Sequence, residues 1–446
     1  MREDFDKANV ETLSRVHHAE YIRFIHDLSK QVAIDGRTVP FTPKVQKHLT
    51  SLPLDETKDS DDCDTSFSKG SLRAARRAVG AVTFAIDRVL AGKNRNAFCA
   101  VRPPGHHAGL KGLIKGATSC GFCIFNNIAA GAFHALEKHG LQRVAIVDLD
   151  VHHGNGTQEI VSTYAEPNQV FFFSVHLYDH TPGVGRDSSN GAGQYEFYPG
   201  TGSRDRLEHN VVNAPLVPMW RKERGRDNDG KKSRGKKGRS SGVGRNRARR
   251  RRVTRPLRRA GRGNFRQTIS DRLVPALRAF NPELILLSSG FDGANGDVGN
   301  CLKTGARGND TPGIDLAPSD FFWATKQIQE VAAVCCEGRI VSVLEGGYGV
   351  QKRRTSSHAA GLDRTNFARC VMSQIAGLVD HRMGRLQYGA TMGDQSSDDE
   401  PLPSAATKAG MGQSDSDMSA DEGQGSFNIV RSEGPPPPAM PQESEE

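Results

Sequence analysis

The stretch Val144-Ala145-Ile146-Val147-Asp148-Leu149-Asp150-Val151-His152-His153-Gly154-Asn155 decides how the rest of the chain is read. Its first four residues are apolar without a break, which suits a strand buried on both faces of a parallel sheet. The polar residues then arrive together at the C-terminal end of that strand. In extended chain, side chains at i, i+2 and i+4 share one face. Asp148, Asp150 and His152 can therefore converge on one point. A carboxylate and an imidazole two residues apart make a half-site for a divalent metal. The competing reading is an Asp–His hydrogen-bond network that caps a sheet edge.

Four other apolar runs end in the same way. Phe98–Val101 leads into Arg102-Pro103-Pro104-Gly105-His106-His107, and Val170–Phe173 into Ser174-Val175-His176. Leu284–Leu287 leads, after two serines, into Gly290-Phe291-Asp292, and Ile340–Leu344 into Glu345-Gly346-Gly347-Tyr348-Gly349. Amphipathic or Ala-rich stretches at about 70–91, 124–138, 267–280 and 319–336 read as helices. Strands alternating with helices predict an α/β fold, a parallel sheet covered on both faces. Such sheets place ligands in the crevice at the C-terminal strand ends.

The residues delivered there suit metal-assisted hydrolysis. Asp292, from a neighbouring strand end, can complete a three-ligand set with Asp150 and His152, and three ligands with an open position is a catalytic pattern for zinc. His106-His107 follows a Pro-Pro-Gly turn whose backbone is constrained. Two imidazoles there can serve general base and general acid steps. Tyr348, on a Gly-rich turn, can stabilise an oxyanion or simply pack as an aromatic. His153 reads as a buried hydrogen-bonding partner. His17-His18 reads as a chance pair on a helix surface. Cys120-Gly121-Phe122-Cys123 has no second CxxC and opens a helix, so it is not read as a redox or zinc motif; Phe122 is of interest as an apolar wall beside the His pair.

Composition bounds the remaining classes. The 446 residues carry a formal charge of +9, but that average hides three regimes. Residues 221–266 hold 21 Lys and Arg against 3 Asp and Glu, whereas residues 391–446 hold 2 against 12. The rest is nearly neutral, so the chain as a whole is not a basic nucleic-acid binder. Residues 221–264 and the Ser/Pro-rich acidic tail 391–446 have little to bury and are expected to be disordered. The first is read as an insertion in a catalytic domain spanning 1–390. Its Lys231-Lys232, Lys236-Lys237 and Arg249–Arg252 clusters read as nuclear-import or non-specific nucleic-acid patches. Eight cysteines form no disulfide framework, which points to a reducing compartment. The charged opening MREDFDKANV does not read as a signal peptide. No apolar run approaches the roughly 18–20 residues of a membrane span, and no membrane partner is expected.

With RPPGHHA (102–108), GFCIFNNIA (121–129), VDLDVHHGNGTQ (147–158), SSGFDGANGD (288–297) and VLEGGYG (343–349) in this order, the chain resembles the zinc-dependent histone deacetylases of class II type. The resemblance covers about residues 11–220 and 265–385. It implies the three-layer α/β/α fold shared with arginase, with a central, mainly parallel sheet. It makes Asp150, His152 and Asp292 the ligands of one catalytic Zn2+, and His106 and His107 the acid–base pair. Asp148 would orient His106, Asn155 would partner His107 and lower its pKa relative to a carboxylate partner, and Tyr348 would stabilise the oxyanion. Gly121, Phe122 and Tyr198 would line an acetyl-lysine channel, with Asp64 at its rim. A structural K+ is implied near the Asp148 and Ser174 strand ends. The implied activity is hydrolysis of acetyl-lysine, in histone tails, within a nuclear corepressor-type complex that shuttles to the cytoplasm. The alternatives are an acetylpolyamine amidohydrolase and a catalytically weak binding module. A two-manganese arginase chemistry would need more clustered carboxylates. The opening strand and HPExPxR-like stretch of the family are absent, the loop 180–197 and the stretch 297–320 are long, and the basic insertion is no family feature.

Overall fold

The structure is a computed structural model, and it describes residues 4–36, 38–41, 65–114, 119–179, 197–221, 258–302, 311–352 and 361–379. The acidic tail therefore lies outside the described residues. All of the described residues fall within one compact unit, Met1–Gly384.

The short strands β1 (Val39–Pro40) and β2 (Ser66–Phe67) form an antiparallel ladder of their own. The main sheet begins with β3 (Asn96–Cys99), then β4 (Val144–Asp148), β5 (Val170–Leu177), β6 (Val211–Val217), β7 (Arg258–Arg259) and β8 (Leu284–Ser289). A small ladder, β9 (Cys301–Leu302) with β10 (Thr311–Pro312), precedes the last main strand, β11 (Ile340–Leu344); β12 (Val350–Gln351) pairs with β13 (Leu362–Asp363). The seven-stranded sheet has the order β3-β11-β8-β4-β5-β6-β7, and every pairing in it is parallel.

Alternation along the strands builds two cores. Val144, Ile146, Phe172, Leu286 and Val341 face one side, where helices Ser71–Leu90 and Asn127–His139 supply Val82, Ile86, Ile128 and Phe133. Ala145, Val147, Phe173, Ile285 and Leu287 face the other, against Ile269, Leu277, Phe321 and Ile328. The expected α/β/α layering is therefore present.

Several elements differ from the sequence reading. The first main strand is Asn96–Cys99 rather than Phe98–Val101, because β11 pairs Ile340 with Asn96 and its ladder ends at Cys99. The strand Val211–Val217 escaped the periodicity because Asn213 and Pro215 interrupt it, and Pro argues against a central strand. The helix expected at 267–280 spans Arg262–Phe280 and is widened by a π-turn at Ile269–Leu273. That turn sits just before Pro275, whose ring would otherwise crowd the carbonyl four residues back. His17 is no surface residue: it is buried, its Nδ1 meets Gly109 O at 2.9 Å, and its Nε2 accepts from Asn126 N–H at 2.9 Å. Burial lowers its pKa to about 4, against the raising effect of the Gly109 contact.

The boundary expected at residue 264 also moves. Arg258 and Arg259 form β7 beside Leu216 and Val217. Arg262 and Arg266 donate Nε to the buried Asp320 carboxylate at 2.6 and 2.7 Å, and Asp320 also accepts Ala317 N–H at 2.8 Å. Residues 258–266 are thus part of the fold. Because β6 and β7 run parallel, the connection between them needs about a dozen residues. Replacing 222–257 with a Gly/Ser linker of about that length should leave the melting temperature unchanged. Extending the replacement through Asn264 should lower it by several degrees; equal melting of the two variants would place the boundary back at 264.

Candidate active site

The site is built where four adjacent strands, β3, β11, β8 and β4, end. Register puts Asp148 level with Ser174 on one side and Ser288 on the other, so the residues that follow β4 and β8 emerge side by side. Asp150 accepts Gly346 N–H at 2.8 Å, which ties the end of β4 to the loop after β11. Asp292 accepts Val151 N–H at 3.2 Å. His152 Nδ1 lies 3.1 Å from Asp150 Oδ1 and 3.0 Å from Asp292 Oδ2. The ligand-type atoms of Asp150, His152 and Asp292 all lie within 4.8 Å of one another.

Charge and space allow this triad to hold a cation. Both carboxylates are fully buried. Burial, and then the Asp150 charge, push the Asp292 carboxyl up from its ordinary value. Two buried carboxylates need positive charge between them; Asp292 and Asp150 raise the His152 pKa to about 10 against its burial, so that charge is either a proton on His152 or a bound cation. Space agrees as well. A Cβ on Gly290 would fall well inside contact distance of the Asp150 carboxylate, and one on Gly346 would collide with Asp292. The donor set, two carboxylate oxygens and an imidazole nitrogen, fits Zn2+.

A second group with ligand-type atoms, Asp87, His134 and His139, lies on helices Ser71–Leu90 and Asn127–His139. Its chemistry is already satisfied. Asp87 Oδ1 lies 2.7 Å from His134 Nε2 and 2.6 Å from His139 Nε2. Freeing His134 Nε2 for a metal would move its proton to Nδ1, which is buried without a partner among the described residues. An unpaired buried donor costs about 1–3 kcal/mol.

The His pair stands beside the triad, with ring centroids 3.9 Å apart. His106 Nδ1 contacts Asp148 Oδ2 at 2.9 Å, and His107 Nδ1 contacts Asn155 Oδ1 at 2.8 Å. The two environments push the imidazoles apart. Burial would lower His106, but the Asp148 and Asp150 carboxylates outweigh it and raise its pKa to about 10. Burial, then the neighbouring His106 and His152, hold His107 well below 6.5, and the neutral Asn155 does little to oppose them. Asp148, Asp150, His152, Asp292, His106, His107 and Asn155 are therefore all assembled in one place.

Gly121 lies against the His107 ring. Phe122, held at φ 65°, has its ring 5.7 Å from that of Tyr348. Phe122 N–H donates to Thr65 Oγ1 at 2.8 Å; Asp64 itself lies outside the described residues. Tyr198 packs edge-on to His107 at 4.9 Å and donates its hydroxyl to Ser119 O at 2.9 Å. Burial, then Asp292 and Asp150, hold the Tyr348 phenol well above its ordinary pKa, so it stays a donor. The K+ expected near Asp148 and Ser174 gains no support: Asp148 is engaged by His106 and by Asp150 N–H, and the Ser174 hydroxyl by His176. His153 is buried between Thr201 and Gln158, as expected. Cys120 and Cys123 are buried, and burial lifts the Cys123 thiol well above its ordinary value.

Sequence reasoning missed three residues. Phe197 stacks on His152 with centroids 4.9 Å apart and planes 7° apart. Glu345, fully buried, accepts Gly105 N–H at 2.7 Å and His106 N–H at 3.2 Å, and so fixes the turn that carries the His pair. Its place directly before the Gly-Gly-Tyr turn was the available signal. The third is Asp297, whose contacts are with backbone alone and left none.

Residues 2–361 match the family model "Histone deacetylase domain". The chain belongs to the histone deacetylase domain family. It is 33% identical over 393 residues to "Type-2 histone deacetylase 2" of Dictyostelium discoideum, covering 83% of this chain and 18% of that protein. It is 30% identical over 348 residues to "Polyamine deacetylase HDAC10" of Mus musculus, covering 77% of this chain and 38% of the relative. The chain thus spans between about a fifth and two fifths of the length of these relatives. The solved "HDA15 HD domain" superposes with a TM-score of 0.55 at 24% identity, covering 84% of this chain and 75% of that one, and agrees with the fold.

The glycine at 290 gives a direct check on the metal reading. Gly290→Ala should displace the Asp150 carboxylate and remove stoichiometric zinc from the purified protein, as His152→Ala should. A Gly290→Ala protein that retains one zinc per chain by elemental analysis would show that Asp150 is not a ligand.

Proposed function

We propose that this chain is a zinc-dependent protein-lysine deacetylase, hydrolysing acetyl-lysine to lysine and acetate. The observation that carries the reading is the Asp150/His152/Asp292 triad facing the His106-His107 pair in one buried cluster. Zinc held by the triad would polarise the amide carbonyl and lower the pKa of bound water towards about 7.

The chain's own groups supply the proton traffic. With its Nδ1–H donated to Asn155, His107 presents an Nε2 lone pair, and its burial keeps it neutral. It takes one proton from the attacking water as the C–O bond forms at the acetyl carbon. His106, kept cationic by Asp148, gives a proton to the lysine nitrogen as the C–N bond breaks. Tyr348 donates its hydroxyl to the oxyanion of the tetrahedral intermediate. Phe122 and Tyr198 are proposed as the walls that exclude water from the lysine stem, with Asp64 at the rim on the strength of the resemblance alone.

Charge favours a chromatin substrate over a free polyamine. The basic segment begins at Arg221, next to Trp220, whose ring is 5.8 Å from Phe197, itself stacked on His152. Asp179 pins that departure point, accepting Trp220 Nε1–H at 3.0 Å and Arg221 Nε–H at 2.6 Å. A strongly cationic segment repels a small polycation and attracts the phosphate backbone beside histone tails. The name of the HDAC10 relative supports the polyamine reading instead. Residues 221–257 are proposed to serve nuclear import and non-specific DNA contact, with corepressor-type partners. Turnover of an acetyl-lysine histone peptide should exceed that of an acetylated polyamine in kcat/KM; the reverse order would establish the second reading.

Two variants test the roles. Tyr348→Phe should lower kcat by about 10²–10³, the cost of one oxyanion donor, and a drop below about threefold would remove Tyr348 from the reaction. Asn155→Asp places a negative charge on His107 and raises its pKa. A base must be deprotonated to act, so the acid limb of the kcat/KM–pH profile should move to higher pH. An unmoved acid limb would show that His107 is not the base.

A further inference from the structure

The turn that carries Tyr348 is poorly constrained by its own sequence. Gly346, Gly347 and Gly349 surround the tyrosine, and Gly347 and Gly349 adopt φ of 121° and 104°. Yet the phenol must be placed closely, because a misplacement of about 1 Å can cost on the order of 10²-fold in rate.

The missing constraint comes from the loop after β8. Asp297 is 1% exposed, and its carboxylate faces backbone donors. Its Oδ2 accepts Tyr348 N–H at 2.9 Å and Gly349 N–H at 2.6 Å, while its Oδ1 accepts Gly299 N–H at 2.9 Å. Val298 N–H donates to Gly349 O at 2.9 Å, and Asp297 bridges Val350 in antiparallel fashion. The same segment also supports the ring. A Cβ on Gly299 would stand 2.8 Å from Asp292 Cβ and 2.9 Å from Tyr348 Cε2, closer than any real side chain comes.

We propose that Asp297 and Gly299 together position the Tyr348 phenol, Asp297 as a clamp on the backbone of its turn and Gly299 as the floor under its ring. Asp297 touches neither the triad's ligand-type atoms nor the His pair through any hydrogen bond seen here. It is a positioning residue, and the proposal rests on Tyr348 acting as the oxyanion donor.

The test is a double-mutant cycle on the zinc-loaded full chain with an acetyl-lysine peptide. Asp297→Asn keeps the volume but replaces one acceptor oxygen with an amide that cannot accept. Gly299→Ala leaves the clamp's acceptor oxygens in place but pushes both the Tyr348 ring and Asp292 Cβ, so its kcat is read only on protein that holds one zinc per chain. Each should lower kcat about 10- to 100-fold with KM and zinc content unchanged. In a Tyr348→Phe background, each should lower kcat by less than about twofold further, because the phenol they position is gone. Equal losses in both backgrounds would overturn the proposal and assign the segment to general folding or to the zinc loop. So would a loss that appears in KM or in zinc content alone. Thermal melts ensure that folded protein is compared; if Asp297→Asn does not fold, the Gly299→Ala cycle decides by the same criteria. Full activity in Tyr348→Phe alone would instead refute the oxyanion reading, and is told apart because it is read before either second substitution is made.

Discussion

Burial of several carboxylates in one place is the constraint on which this structure depends. Asp148, Asp150, Asp292 and Glu345 are all fully buried at the C-terminal ends of β4, β8 and β11. Charged groups out of water must be paired, hydrogen-bonded or bound to a cation. Each carboxylate here has such a partner: His106 for Asp148, His152 and Gly346 N–H for Asp150, His152 and Val151 N–H for Asp292, and Gly105 and His106 N–H for Glu345. The glycines at 290 and 346 follow from the same need, since backbone and neighbouring carboxylates must come closer than a side chain allows.

The sheet makes this arrangement affordable. Parallel strands with apolar residues on both faces anchor the strand bodies in two cores, and the buried carboxylates gather at the strand ends. The order β3-β11-β8-β4-β5 puts the four chemistry-bearing ends next to one another, although they lie far apart in sequence. The His pair needs one more device. Its turn follows an edge strand, and Glu345, reaching across from the end of β11, holds it in place.

Much of this was legible in the sequence because burial on both faces writes an unbroken apolar run, and a polar cluster directly after such a run marks a strand end. That signal gave β4, β5, β8 and β11 and the convergence of Asp150, His152 and Asp292. It failed for Val211–Val217, where Asn213 serves a local network: its N–H and side chain reach Asp205, Arg204 and Gln158. It failed for His17, because a buried histidine with two backbone partners has no sequence pattern of its own. The boundary at residue 264 went astray because Arg258, Arg259 and Arg262 look like the basic run before them, while their partners, Asp271, Met219 O and Asp320, are visible only in space.

The contrast between the two imidazole environments comes from unequal neighbours. His106 and His107 are adjacent in sequence, equally buried and 3.9 Å apart, so position alone would give them the same proton affinity. Asp148 carries a charge to one, and Asn155 offers only a neutral amide to the other. A carboxylate at both positions would raise the proton affinity of both imidazoles, and a neutral partner at both would leave both low; either would narrow the gap between them. The single difference between Asp148 and Asn155 thus sets the two proton affinities apart within one dipeptide, the separation that the proposed division into base and acid requires.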